Sequence, residues 1–377
     1  MDHVNQARRQ MIIALYEIPG IGWHAIDRAV RHALWRKERW TEEELVAIGL
    51  KRAQAAKAVQ LYEEQPWKLT RGESPAVRAA EAVILTPYDF NYPAILKEIA
   101  QPPWVLYARG RLELLERPSV AMVGTRIPTA YGRHTSATIA QELSSLGLTV
   151  VSGLAKGVDS IVHESALKGA GSTIAVLPTP IDTCYPPENQ SLYRRIAKEG
   201  LLVSETPIGT KLHPGQFHQR NRIIAALTRA TVVVEGARKS GSLITAKHAF
   251  EMDRELFALP GPITSPKSEG PNELIREGRA RLFTEAGCIF EELPWLLEQA
   301  NQHMISADTG AGRRVASEAS ISPDEHKIVL LLRDQPLSIN DLHELTSIPF
   351  GHLNALLLNL CIKRKIELQP GSIYIAL

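Results

Sequence analysis

The chain has 377 residues, more than one hydrophobic core usually supports, which predicts two or three domains. Its 43 Lys and Arg residues nearly balance 41 Asp and Glu residues, so the composition does not indicate a protein whose whole surface coats a polyanion. Three cysteines lie far apart without a CxxC pair, which argues against a disulfide framework or zinc knuckle and fits a reducing compartment. No stretch reaches the roughly 20 apolar residues of a membrane span, and the N-terminus lacks the pattern of a signal peptide. We therefore expect a cytoplasmic protein without a membrane span.

Residues 1–68 carry apolar side chains at helical spacing and no strand pattern, which predicts a small helical domain of the helix-hairpin-helix or SAM-like type. Between its first two helices, residues 18–22 are IPGIG, whose two glycines permit a tight turn with outward backbone amides. Such a turn holds a DNA phosphate in helix-hairpin-helix modules. A plain connection within a structural bundle explains the same five residues, and we prefer it because the motif is short.

The pattern changes after residue 81, where short β-branched or apolar runs alternate with helix-length stretches up to residue 297. Runs of this kind are buried on both faces of a sheet and predict a mostly parallel, doubly wound α/β domain over residues 82–297. The predicted strands are 105–107, 120–123, 149–151, 173–177, 201–203, 231–234 and 256–259. Because such domains bind ligands at the carboxyl ends of their strands, the segments after these runs are candidates for a site.

Residues 298–320 contain many Gly, Ala, Ser and Arg residues without periodicity and predict a flexible linker. Residues 321–377 then carry amphipathic helical patterns at 323–332, 340–345 and 352–362, followed by a hairpin pattern. Three helices and a hairpin predict a winged-helix domain. Its last helix is mostly apolar, so it fits a protein contact as well as DNA recognition.

The first strand-to-helix turn of the α/β region has the features of an anion site. Gly124 lets a ligand approach the backbone, Thr125 offers a hydroxyl, and Arg126 can fork onto a phosphate at the start of the next helix. The GxGxxG pattern is absent, so this is not a dinucleotide fingerprint. A turn with a single arginine also fits a purely structural connection.

A second turn repeats the arrangement with Ser152, Gly153 and Lys156. Asp159 follows as a predicted helix cap, four residues before His163. These two side chains fit a shared proton or a metal ion, but a satisfied pair on one helix is the preferred interpretation, because no third ligand lies near them in the sequence.

The run from residue 217 to 227 predicts a helix that turns its apolar side chains inward. Its other face carries Phe217, Arg220 and Asn221, and Arg222 follows directly. An aromatic ring beside guanidinium and amide groups suits a stacked base whose phosphate is clamped nearby, as in single-strand binding. The alternative is that Phe217 belongs to the core and both arginines are solvated.

A third turn, after the sixth predicted strand, favours the binding interpretation. It opens a helix with Gly241, Ser242 and Thr245, which are small or carry a hydroxyl, and Lys247 follows among other cations. Between residues 211 and 254, eight Lys or Arg residues stand against three acidic ones, so this window attracts anions. Three phosphate-type turns on one sheet are more specific than any one of them.

Catalysis requires a nucleophile with its base, a carboxylate pair or a metal cluster, and the sequence shows none of these patterns. Four acidic residues near strand ends, which have no partner visible in the sequence, are Asp182, Glu188, Glu205 and Glu235. Capping or ion pairing is the preferred interpretation for them. We therefore expect no enzyme, no metal and no cofactor.

Ordered motifs from residue 89 to residue 278 resemble the bacterial DNA-processing protein A (DprA/Smf) family. They are YP at 92–93, PPWVLY at 102–107, GTR at 124–126, YG at 131–132, SGLAKGVD at 152–159, YPPEN at 185–189, RNRII at 220–224 after Phe217, SGSLITA at 240–246, PG at 260–261 and GPN at 270–272. The resemblance implies a Rossmann-like core that binds single-stranded DNA, forms a homodimer and passes the strand to a RecA-type recombinase during natural transformation or related recombination. It also implies the helical and winged-helix flanks.

In that family, the positions that match Arg126, Phe217, Arg220 to Arg222, Ser242 and Lys247 lie in or near the DNA groove. The resemblance therefore assigns the same place to these residues here.

The chain departs from the family pattern at three places, one of which is Gly278-Arg279, where the family usually has Gly-Ala. Residues 178–180 are Pro-Thr-Pro where the family tends to have glycines, and His218 and Gln219 stand where proline and a basic residue are frequent. These changes bear on the strength of DNA binding.

A rival interpretation is a nucleotide-hydrolysing phosphoribohydrolase of similar fold, but residues 236–242 lack the PGGxGT-type loop of such enzymes. A nucleotide-sensing regulator is a third possibility.

Overall fold

The computed structural model describes residues 3–37, 39–64, 74–310, 323–346, 348–362, 365–369 and 373–376. The chain divides into two compact units, Met1–Asp308 and Thr309–Leu377. Within the described ranges, the structure contains no helix that combines the length and apolar character needed to cross a bilayer.

The first unit begins with short helices. They are α1 (His3–Tyr16), α2 (Trp23–Arg31), α3 (Glu42–Ala47), α4 (Arg52–Glu64) and α5 (Pro75–Ala79). The IPGIG turn joins α1 to α2, and Gly20 adopts a φ of +82°, which glycine tolerates without strain. The side-chain amide of Gln54 donates to the Pro19 carbonyl at 3.2 Å, so the turn is fastened to α4. Contact of this turn with DNA stays a hypothesis.

An alternation of strands and helices follows. The elements are β1 (Val83–Leu85), β2 (Leu106–Gly110), β3 (Ser119–Val123), α6 (Ala130–Ser145), β4 (Thr149–Ser152), α7 (Val158–Ala166), β5 (Thr173–Leu177), α8 (Gln190–Glu199), β6 (Leu201–Ser204), α9 (Gly215–Ala226), β7 (Ala230–Val233), α10 (Gly241–Glu251), β8 (Glu255–Ala258), α11 (Glu269–Arg276), β9 (Arg281–Leu282), α12 (Gly287–Glu292) and α13 (Pro294–Gly310). All seven predicted strands are present, as β2 to β8.

The strands form one sheet in the order β1-β2-β6-β5-β4-β3-β7-β8-β9. Pairing is parallel from β6 to β9, whereas β2 runs antiparallel to both β1 and β6. This is the doubly wound, Rossmann-like arrangement that the sequence predicts. The edge strands β1 and β9 have only three and two residues, too short for a periodic pattern, and the sequence does not reveal them.

Helices cover both faces of the sheet, because its central strands are apolar on both sides. In β3, Ala121 and Val123 pack into one core cluster, and Val120 and Met122 pack into another. Successive residues of a strand point to opposite faces, so a continuous apolar run fills two layers. All five residues of β3 are buried.

The N-terminal helices share a core cluster with the sheet, including Tyr107 of β2 and Leu202 of β6. Polar contacts reinforce the packing, since the Trp23 indole N–H donates to the Pro102 carbonyl at 2.7 Å. Residues 1–68 and 82–297 thus lie in the same compact unit. Their division into a helical and an α/β domain stays a prediction.

The end of the first unit lies later than the sequence indicates. The linker is predicted to begin at residue 298, but α13 continues to Gly310, with Leu296 and Ala300 fully buried in the core. Composition hides this helix because residues 298–320, taken together, contain many Gly, Ala, Ser and Arg residues without periodicity. Residues 311–320 of the predicted linker lie outside the described residues, as do residues 65–73.

The second unit contains α14 (Pro323–Asp334), β10 (Leu337–Ser338), α15 (Ile339–Thr346), α16 (Phe350–Ile362), β11 (Ile366–Gln369) and β12 (Ile373–Ala376). Its sheet has the order β10-β12-β11 with antiparallel pairing. Leu332, Leu342, Leu353 and Leu357 form its core, one or more from each helix. Three helices followed by a hairpin confirm the predicted winged-helix pattern, although the hairpin turn at 370–372 lies outside the described residues.

Candidate nucleic-acid interface

The candidate site lies where the chain direction across the sheet reverses. From β3 the chain proceeds to β4, β5 and β6 on one side, and α9 then returns it to β7 on the other side of β3. Doubly wound sheets bind ligands in the crevice at such a switch point, outside the carboxyl ends of the strands. An open groove of about 470 Å³ occupies this position.

The groove is lined by the turn after β3, the segment after β4, and the first turns of α9 and α10. Its lining residues are Val123, Gly124, Thr125, Arg126, Ile127, Ala155, Asp159, Pro214, Phe217, His218, Arg220, Asn221, Ile224, Ser240, Gly241, Ser242, Ile244 and Thr245. The structure therefore brings together nine of the predicted site residues, drawn from three separate parts of the sequence.

The turn after β3 is shaped by close packing against the start of α7. A side chain at Gly124 would place its Cβ 2.6 Å from Val158, so only glycine fits there. The Val158 N–H donates to the Thr125 carbonyl at 3.1 Å, and the Ile127 N–H donates to the Thr125 hydroxyl at 3.3 Å. These bonds hold the backbone of the turn while the Arg126 side chain remains exposed.

The segment after β4 contributes less than the sequence predicts. Ser152 is fully buried, and its hydroxyl donates to the Met122 carbonyl at 2.7 Å, so it braces β4 and does not line the groove. Gly153 is buried under the guanidinium of Arg220, which a Cβ would meet at 2.5 Å. Lys156 is exposed, and its ammonium lies 2.5 Å from Glu188 Oε1.

Phe217 is half-buried at the first turn of α9 and forms the aromatic wall of the groove. Its ring centre is 5.4 Å from that of Tyr185 in an edge-on arrangement, and the Arg126 guanidinium carbon lies 5.7 Å above it. Part of the ring stays available to solvent. An aromatic face beside a guanidinium is the combination that stacks a base and binds its phosphate.

Arg220 lies buried in the floor of the groove, so the alternative in which both arginines are solvated does not hold for it. Its guanidinium donates to the carbonyls of Gly153 and Val176, the latter at 2.6 Å, and its Nε donates to Asn221 Oδ1 at 3.1 Å. Burial lowers the pKa of Arg220 to about 10, although the Asp159 carboxylate opposes the shift and the Arg126 charge adds to it. Two cations thus repel each other at this point, and an anion between them would relieve the repulsion.

Asn221 connects the two helices that border the groove, α9 and α10. Its side-chain amide donates to the Gly241 carbonyl at 3.3 Å, which joins α9 to the start of α10. Ser240 caps α10 by accepting from the Ser242 N–H at 3.4 Å. Gly241 is exposed, whereas Ser242 and Thr245 are largely buried in the floor of the groove.

Two predicted residues lie elsewhere. Arg222 donates to Glu205 Oε1 at 2.5 Å and to the Gln101 carbonyl at 2.9 Å, so it braces α9 away from the groove. Lys247 lies farther along α10, with its side chain 70% exposed and 3.6 Å from Glu251, and it does not line the groove. Sequence spacing does not show that these two side chains point away from the groove while their neighbours line it. The direction of each side chain depends on the rotation of its helix against the sheet.

The acidic residues considered for catalysis are engaged in structural contacts. Glu235 is buried and accepts from the backbone N–H of Thr129 at 2.9 Å and from its hydroxyl at 2.5 Å. Glu205 pairs with Arg222, and Asp182 accepts from the Thr183 hydroxyl at 3.2 Å. Each carboxylate therefore has a local role at the end of a strand or helix.

Asp159 and His163 do not bond to each other. The Thr173 hydroxyl donates to the Val150 carbonyl at 2.6 Å, so the His163 ring must donate from Nδ1 to that hydroxyl, 2.7 Å away. Its Nε2 accepts from the Leu154 N–H at 3.2 Å, and burial lowers the pKa of His163 to about 3. The imidazole is a neutral structural bridge. Across the described ranges, no cluster of three metal-ligating side chains is found.

One residue that the sequence does not reveal as part of the site is Tyr185, which contacts the aromatic wall of the groove from a distant loop. Tyr185 lies in the YPPEN motif and meets Phe217 only because the loop after β5 folds back toward α9. The motif was the available signal, but nothing local indicates which partner the ring contacts. His218, noted as a departure from the family pattern, lines the groove.

Comparisons with known proteins give matches in both units of the chain. A family model described as DNA recombination-mediator protein A matches residues 83–294, and a model described as the DprA winged helix domain matches residues 313–372. Protein Smf of Synechocystis sp. is 38% identical over 314 residues, which cover 77% of this chain and 79% of that protein.

Two solved structures are also similar. DNA processing protein A from Streptococcus pneumoniae matches with a TM-score of 0.66 and 32% identity, covering 75% of this chain and 97% of that chain. DNA processing protein A from Helicobacter pylori, described as having a unique single-stranded DNA binding mode, matches with a TM-score of 0.52 and 34% identity. It covers 56% of this chain and 95% of that chain.

Proposed function

Because this chain belongs to the DNA recombination-mediator protein A family, we propose that it binds single-stranded DNA, without strong sequence preference, along the groove at the carboxyl ends of β3, β4 and β7. The observation that carries the proposal is the position of Arg126 above Phe217, next to the buried charge of Arg220. Bases stack on an aromatic face regardless of their identity, and phosphates bind guanidinium groups and free helix amides.

Of the 14 predicted site residues, nine line the groove, and Gly153 and Lys156 line an adjoining cleft that shares Arg126, Phe217 and Arg220 with it. We propose the backbone of Gly124, Thr125 and Gly241 and the side chain of Arg126 as phosphate contacts, and Phe217 as the base platform. Arg220 acts from below through its charge.

We further propose that the protein works in the cytoplasm as a homodimer and delivers the strand to a RecA-type recombinase during natural transformation or related recombination. The family description, recombination mediator, supports this role. Sedimentation equilibrium tests the dimer, which has twice the 41.7 kDa mass of one chain. If the protein delivers DNA to a recombinase, adding it should shorten the delay before the recombinase begins to hydrolyse ATP on single strands coated with a single-strand-binding protein. A delay of unchanged length would contradict delivery.

The proposal describes binding and not catalysis. It is supported by the structural contacts that Glu235, Glu205 and Asp182 already make within the fold. Incubation with nucleoside monophosphates should release no free base above a blank, as chromatography would report. Release that depends on Glu235 or Glu205 would favour the hydrolase interpretation instead.

Fluorescence anisotropy with labelled oligonucleotides tests the central claim. Single strands of dT, dA and mixed sequence should bind with similar affinity, and a duplex of equal length should bind more weakly. The logarithm of the association constant should fall linearly with the logarithm of salt concentration, because phosphate contacts release counterions. Affinity that is indifferent to salt, or equal for duplex and single strand, would count against the proposal.

A further inference from the structure

A small cleft adjoins the groove and shares Arg126, Phe217 and Arg220 with it. Its wall residues include Arg126, Lys156, Tyr185, Pro186, Phe217 and Arg220. Three of these six side chains are cationic and two are aromatic, which is the chemistry that binds a phosphodiester next to a base. The cleft measures only about 50 Å³, room for very few water molecules, so a nucleotide enters only if one wall moves.

The outer wall is the YPPEN loop, residues 185–189. Its far end is anchored, because the Asn189 side chain donates to the Leu154 carbonyl at 2.8 Å and to the Ser160 hydroxyl at 2.9 Å. Its near end is held by the edge-on contact between Tyr185 and Phe217. Between the two anchors, Glu188 reaches out to Lys156.

The Lys156–Glu188 ion pair is exposed and easily exchanged. The side chains are 55% and 61% exposed, and the atoms Nζ and Oε1 lie 2.5 Å apart. Exposed pairs of this kind contribute little to stability, so rotation of one side chain is enough to separate them. A phosphate and a carboxylate accept hydrogen bonds from the same ammonium group, and therefore compete for it.

We propose that the cleft between Phe217 and the YPPEN loop is a phosphodiester subsite, and that Glu188 sets its affinity by competing with the DNA phosphate for Lys156. The inference rests on the proposed function, single-strand binding. In the free chain Glu188 neutralises Lys156, which leaves Arg126 and Arg220 as the cations that first attract the strand. When a phosphate arrives, Lys156 exchanges Glu188 for it, and Glu188 turns to solvent.

The test compares the full chain with Glu188→Gln by anisotropy, using a labelled dT oligonucleotide at low salt. Removal of the competing carboxylate should tighten binding about two- to fivefold, the range that corresponds to breaking one exposed ion pair. Glu116→Gln is the matched control, because Glu116 is also exposed but lies before β3, at the opposite end of the sheet. Its affinity should equal that of the unmodified chain.

A second pair of variants distinguishes competition from simple repulsion between Glu188 and DNA. In a Lys156→Gln background, Glu188→Gln should produce no further gain. An equal gain with and without Lys156, or no gain in the single variant, would overturn the inference while the proposed function stands. Failure of the unmodified chain to bind single strands would overturn the proposed function and this inference together.

Discussion

The guanidinium carbon of Arg126 lies 5.7 Å from the ring centre of Phe217, although 90 residues separate them in the sequence. The turn after β3 brings the first residue and helix α9 brings the second. A charge and a ring at this distance attract each other, and in the proposed function they form one face that binds a phosphate and its base.

Replacement of Phe217 tests the stacking surface. Phe217→Ala should weaken single-strand binding by about 1–3 kcal/mol, the usual value for one base stacked on an aromatic ring. Phe217→Trp keeps an aromatic face and should retain most of the affinity. Anisotropy titrations at one salt concentration measure both. An alanine variant that binds like the unmodified chain would mean that no base stacks there.

Replacement of Arg126 tests the phosphate contact. Arg126→Ala should weaken all single-stranded sequences alike and reduce the magnitude of the salt slope by about 0.7, the value for one phosphate contact on a single strand. The matched control is Arg195→Ala, because Arg195 is exposed on α8 outside the groove. A loss restricted to one sequence, or an equal loss in the control, would contradict a phosphate contact in the groove.

Arg222 is predicted to contribute to the stability of the fold and not to DNA binding in the groove. Arg222→Ala leaves the largely buried Glu205 without its cation, which should lower the free energy of unfolding by about 1–3 kcal/mol, between the values for exposed and buried ion pairs. Burial raises the pKa of Glu205 and Arg222 opposes that shift, so the variant should raise the pKa further. The unfolded chain has the lower pKa, and the loss should therefore be greater at pH 8 than at acid pH.

Urea unfolding at both pH values checks this expectation, with Arg195→Ala as the control. If the variant has normal stability but its affinity for DNA is lost, Arg222 is part of the DNA-binding surface.

His163 should make the fold sensitive to mild acid. Its folded pKa is about 3 and its unfolded pKa is about 6.5, so the unfolded chain takes up the proton first. The stability that this residue contributes is complete above about pH 6.5 and is lost progressively as the pH falls toward 3. Between pH 7 and pH 5 the loss should be about 2 kcal/mol.

Urea unfolding of the full chain and of His163→Gln across this range isolates the contribution. The variant is expected to be less stable at pH 7 but flatter between pH 7 and pH 5. Identical pH profiles would show that another group is responsible.

Truncation tests whether the first unit carries the binding. A chain that ends at Gly310 keeps all of α13, whereas one that ends at Ala300 removes residues from a helix whose early side chains complete the core. The chain ending at Gly310 should bind single strands with the affinity of the full chain and fold more stably than the shorter one. Loss of binding in the longer truncation would assign part of the DNA surface to the second unit.

Much of the fold follows from local pattern. Apolar runs of strand length, separated by helix-length stretches, predict the doubly wound sheet, because a strand covered on both faces needs apolar residues at every position. The turns after β3 and β7 are recognisable in the sequence because glycine and hydroxyl residues occur together at the start of a helix, a combination typical of anion-binding turns. The very short edge strands and the extension of α13 escape prediction, since their sequences carry no period.

The arrangement of the site is only partly determined by the local sequence. Arg220 and Arg222 stand two positions apart on α9, which is about 200° around a helix, so they point in nearly opposite directions. Sequence places both on one motif, and packing against the ends of β4 and β5 decides that Arg220 lies beneath the groove. The same packing turns Arg222 toward Glu205.

The sequence by itself thus determines the class of fold, the positions of the turns rich in glycine and hydroxyl residues, and the aromatic residue between them. Only the tertiary structure decides that Ser152 is buried, that Lys247 lies beyond the groove and that Glu188 of the YPPEN loop pairs with Lys156. The reason is physical: strand and turn propensities depend on neighbouring residues, whereas the direction of a side chain depends on elements that pack against it from far along the chain.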